Sequence, residues 1–63
     1  MIASFKLAQL KRWEKEAVEL QTRVTMAAID APTKEEAQVL IEMLKSIQQQ
    51  LVRCEEEINK ILN

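Results

Sequence analysis

The 63-residue sequence contains no glycine and no histidine, and only one proline, one cysteine, one tryptophan and one phenylalanine. Without glycine, and with Pro32 alone, the chain carries almost no residues that mark turns. A lone Cys54 rules out an internal disulfide, and without histidine a zinc site has no good set of thiolate and imidazole ligands. Acid–base chemistry would have to rest on Glu, Asp, Lys or Cys, and no catalytic constellation of these is visible. The expectation is a non-enzymatic protein with no cofactor, no metal and no catalytic residue.

Other absences bound location and partners. No stretch approaches the ~18 uninterrupted apolar residues of a membrane span, and no short apolar segment precedes a small-residue cleavage site. A single free cysteine suits a reducing compartment, so a cytoplasmic protein without a transmembrane segment is expected. Nine basic and ten acidic side chains leave a formal charge of −1, unlike the positive field of strong nucleic-acid binders. The distribution is uneven, however. Residues 1–13 hold Lys6, Lys11 and Arg12 and no acid, whereas Glu55, Glu56 and Glu57 follow one another near the C-terminus.

What is present is helix. Ala, Leu, Glu, Lys, Gln, Ile and Arg dominate, and most of these favour helical backbone. The one interruption runs from Ile29 to Glu36. Pro32 disfavours helical geometry at Ala31, and Thr33 followed by Glu36 reads as a capping box that opens a new helix. Glu35 and Glu36 suit the positive end of its dipole. The reading is one domain over 1–63: helix 1 at about 4–30, a turn at 31–33 and helix 2 at about 34–62. Each helix would be roughly 40 Å long.

The apolar residues repeat as in a coiled coil, alternating steps of three and four. In helix 2 the series is Ala37, Leu40, Leu44, Ile47, Leu51, Cys54, Ile58 and Ile61; in helix 1 it is Leu10, Trp13, Ala17, Leu20, Val24, Ala27 and Ala31. Facing residues of an antiparallel pair have numbers of constant sum. Ala27 with Ala37, Val24 with Leu40, Leu20 with Leu44, Ala17 with Ile47, Trp13 with Leu51 and Leu10 with Cys54 all satisfy one sum. The extension outward pairs Lys6 with Ile58 and Ala3 with Ile61. The fold class is therefore all-α, an antiparallel two-helix hairpin, expected to complete a four-helix bundle with itself or a partner. Trp13 and Cys54 are expected in the seam, and the Lys6 stem over Ile58. A hairpin this small implies no concave pocket.

Beside the seam, the e and b heptad positions place Leu7, Val18, Ala28, Ile41, Val52 and Leu62 on one side. The g side carries mostly Gln, Glu, Arg and Asp, with Met43 the exception. A one-sided apolar stripe along a helical hairpin is what a helix-binding surface requires. The functional expectation is a protein-interaction module, a small adaptor, chaperone or inhibitor, that binds itself or a helical partner through those six residues. The alternative is nucleic-acid contact through Lys11, Arg12 and Lys15, the one basic cluster on the outer face of helix 1. Phe5 with Ile2, Leu7 and the nearby cations could also form a short basic amphipathic segment, and Glu55–Glu57 reads as a solvated face.

In length and heptad spacing, over the whole chain, the sequence resembles the Rop family of plasmid RNA-binding proteins. It is also similar in general form to the small helical-hairpin co-chaperones of type III secretion needle subunits. The first resemblance implies a homodimeric four-helix bundle that binds RNA, the second a chaperone of another helical protein. No family residue carries over from either.

Overall fold

A computed structural model describes the backbone of residues 2–63 and the side chains of residues 4–63. Two helices, α1 over Ile2–Ile29 and α2 over Lys34–Leu62, pack side by side. The expected pairing of Ala3 with Ile61, and the part of Ile2 in an amphipathic segment, lie outside the described side chains.

The turn follows from local chemistry. The Asp30 N–H still donates to Met26 O at 3.1 Å, but Ala31 reaches only to Ala28 O, at 3.4 Å. The missing N–H and the fixed ring of Pro32 then stop α1. Thr33 is extended (φ −132°, ψ 157°) and its hydroxyl accepts the Glu36 N–H at 3.2 Å, satisfying one open donor of α2. Glu35 and Glu36 lie in the first turn of α2 and Lys60 in the last, each at the end of the dipole that favours its charge.

The molecule measures 49 × 14 × 12 Å, with a radius of gyration of 14.6 Å; a compact domain of this length would have about 11 Å. Two helices alone cannot enclose a core. Among the described side chains only Leu10, Val24, Ile47 and Ile58 are buried. Register is fixed by one polar contact as well as by packing: the Cys54 thiol donates to Leu10 O at 3.1 Å across the seam, at the level the constant sum assigns.

On α2 every residue of the apolar series from Ala37 to Ile61 is buried or half-buried. On α1 the series divides. Leu10, Ala17, Val24 and Ala31 face α2, but Trp13 is 49% exposed, Leu20 is 46% exposed and Ala27 is exposed. Their places against α2 go to Leu7, Glu14, Gln21 and Ala28, all half-buried. The helix is thus turned by about half the 100° between successive residues, so its seam runs along heptad positions a and e instead of a and d. Lys6, expected over Ile58, is exposed, and the half-buried Leu7 stands at that level.

Close approach explains the rotation. Ala17, Ala28, Ala31 and Ala37 carry only methyl groups between the helices, and the thiol–carbonyl contact holds α1 within one short side chain of α2. An indole inside such a seam would force the backbones apart. Trp13 lies on the flank instead, and Leu20, two turns along the same line, lies there with it.

Candidate interaction surfaces

The rotation gives the hairpin two unlike edges. One edge combines position b of α1 with positions e and b of α2. There Val18, Ile41, Val52 and Leu62 are exposed, with Lys11, Gln48 and Glu55 among them. Of the six residues expected to form this stripe, Leu7 and Ala28 are half-buried against α2, because the turn of α1 draws position e into the seam. The other four remain on the surface.

The opposite edge combines position d of α1 with position g of α2. Trp13, Leu20 and Met43 are each about half-exposed here. Between the helices lies a groove of about 360 Å³, floored by Leu10, Ala17 and Cys54, walled by Trp13 and rimmed by Gln50, Arg53 and Glu57. The small size of the hairpin led to the expectation of no concave pocket, and this groove corrects it. An indole on the flank leaves Ala17 and Cys54, both small, at the bottom of an open trough. The signal that could have exposed this is the rival a/e stripe of α1, where Leu7 and Ala28 compete with Lys6 and Ala27.

Cys54 is half-buried. Burial pushes its thiol pKa up, and the carboxylates of Glu14 and Glu55 push it the same way. It therefore stays a neutral donor to Leu10 O at ordinary pH rather than a nucleophilic thiolate.

Lys11, Arg12 and Lys15 are all exposed on α1. Phe5 is 75% exposed and lines a shallow depression with Ala8, Gln9 and Arg12. Glu57 accepts from Lys60 at 3.3 Å, and Glu42 contacts Lys45 and Gln38 on the outer face of α2. Among the described residues no three His, Cys, Asp or Glu side chains gather as a metal site, and no helix is long and apolar enough to cross a membrane.

The fold and its exposed edges define a class, the antiparallel two-helix hairpin. No protein-family model matches the chain, and no curated protein or solved structure is significantly similar to it.

Proposed function

We propose that the chain is a non-enzymatic interaction module, a small adaptor, chaperone or inhibitor, that offers its b/e edge to a helix of another protein. The observation that carries this reading is the row of exposed aliphatics Val18, Ile41, Val52 and Leu62 on a molecule with only four buried side chains among those described. Burying an aliphatic side chain contributes about 1.5–3 kcal/mol, whereas an exposed ion pair contributes about 0–1 kcal/mol. A partner helix with an apolar stripe would therefore gain most along this row.

The test is the double substitution Ile41→Glu/Val52→Glu. Eleven residues apart, close to three turns, these side chains stack along one line of α2. The variant should keep its helicity by circular dichroism and lose the partner that the wild-type chain retains in a pull-down. Retention of that partner would show that the b/e edge is not the working surface.

A second reading is supported by the exposure of Lys11, Arg12 and Lys15 together on α1. It is a Rop-like dimer contacting an RNA or DNA backbone. Such binding weakens steeply with salt, and Lys11→Gln/Lys15→Gln should flatten that dependence. Affinity that ignores both salt and the substitutions would eliminate it.

A further inference from the structure

We infer that the opposite edge, marked by Trp13, Leu20 and Met43, is closed by a second copy of this chain, with the two-fold axis running along the length of the hairpin. This concerns a different surface from the b/e edge and does not depend on that reading.

Area is the first argument. A compact monomer of 7.3 kDa exposes about 4200 Å². The hairpin exposes 5157 Å², roughly 1000 Å² more, while a standard interface removes about 800 Å² from each partner. One further hairpin of the same size absorbs that surplus. On the Trp13 edge it would also bury the heptad residues that the close seam has pushed out.

Charge chooses the arrangement. An axis along the hairpin lays α1 of one copy over α2 of the other at the same level, and the interface is isologous, each contact occurring twice. Because Cys54 stands level with Leu10, Leu20 then meets Met43 and Lys6 meets Glu57. Trp13 enters the groove floored by Leu10, Ala17 and Cys54. Opposite charges face each other where Lys6 meets Glu57, and neighbouring helices all run antiparallel. The reversed arrangement, with the axis across the hairpin, places Glu16 of one copy against Glu16 of the other near the centre, where like charges repel.

Sedimentation equilibrium on the full chain should give twice the 7.3 kDa mass, with Trp13 emission shifting to the blue and resisting acrylamide as concentration rises. Leu20→Glu/Met43→Glu should sediment as a monomer with its helicity kept, and Ile41→Glu/Val52→Glu should still sediment as a dimer. In a Cys54→Ser background, chains carrying Leu20→Cys should cross-link to chains carrying Met43→Cys. A wild-type chain that stays monomeric up to its solubility limit with Trp13 freely quenched overturns the inference. So does association lost on the Ile41/Val52 edge and kept on the Leu20/Met43 edge. A Glu16→Cys chain that cross-links to itself in place of the Leu20–Met43 pair overturns the arrangement.

Discussion

The two helices are close in length and share a repeat, yet only one of them presents its repeat as written. On α2 the eight apolar positions from Ala37 to Ile61 all turn inward, and the residues between them are mostly Gln, Glu, Lys, Arg and Asn. One phase is strongly preferred, because any rotation would bury charge. On α1 two stripes compete. Leu10, Ala17 and Val24 belong to both, Trp13 and Leu20 favour one, and Leu7 and Ala28 favour the other. α1 is correspondingly the less sharply amphipathic helix. A heptad therefore specifies a face only where the alternatives are polar; where they are apolar, the width of the space opposite decides.

The contrast can be broken most sharply at its firmest point. Ile47 is buried on α2 opposite Ala17, and Ile47→Ala should cost about 2–5 kcal/mol, a large part of the stability of so small a domain. Urea denaturation at fixed chain concentration measures it. A loss below ~1 kcal/mol would mean that α2 does not own the core either.

A smaller effect sharpens the assignment on α1. The exchange Leu20→Gln/Gln21→Leu moves an aliphatic from the exposed position to the half-buried one. With α1 seated as described, the monomeric hairpin should gain up to ~1 kcal/mol from the added apolar burial. A lower melting temperature would restore Leu20 to the seam. This measurement belongs in a Met43→Glu background at a concentration where sedimentation gives the monomer mass, so that association does not mask it.

The cap is next. Thr33→Ala removes the acceptor of the Glu36 N–H and should cost about 1 kcal/mol, read as an earlier thermal transition; an unchanged transition would show that the cap contributes nothing to α2. The least effect belongs to the outer face, where Glu42→Ala should change stability by less than ~0.5 kcal/mol.

Cys54 adds a pH dependence. Its folded pKa is raised above the ordinary thiol value of 9.0, so its contribution is fully present below that value and is lost as pH rises through the folded value. Above that range the wild-type hairpin should lose stability relative to Cys54→Ala. Alkylation by iodoacetamide should also be slower in the folded chain than in urea at the same pH. Equal alkylation rates would place the thiol in solvent.

Much of this molecule is legible in its residues. Pro32 and Thr33 locate the turn through a missing N–H and a hydroxyl cap, both local effects. The α2 stripe and the level of Cys54 against Leu10 follow from periodicity alone, because an antiparallel pair has one constant sum. The rotation of α1, the exposure of Trp13 and Leu20 and the groove above Ala17 and Cys54 were settled only when the helices met. Residue spacing records direction around a helix, not the distance to its neighbour. Here four alanines and one thiol–carbonyl hydrogen bond lie between the helices, and the indole stands on the flank.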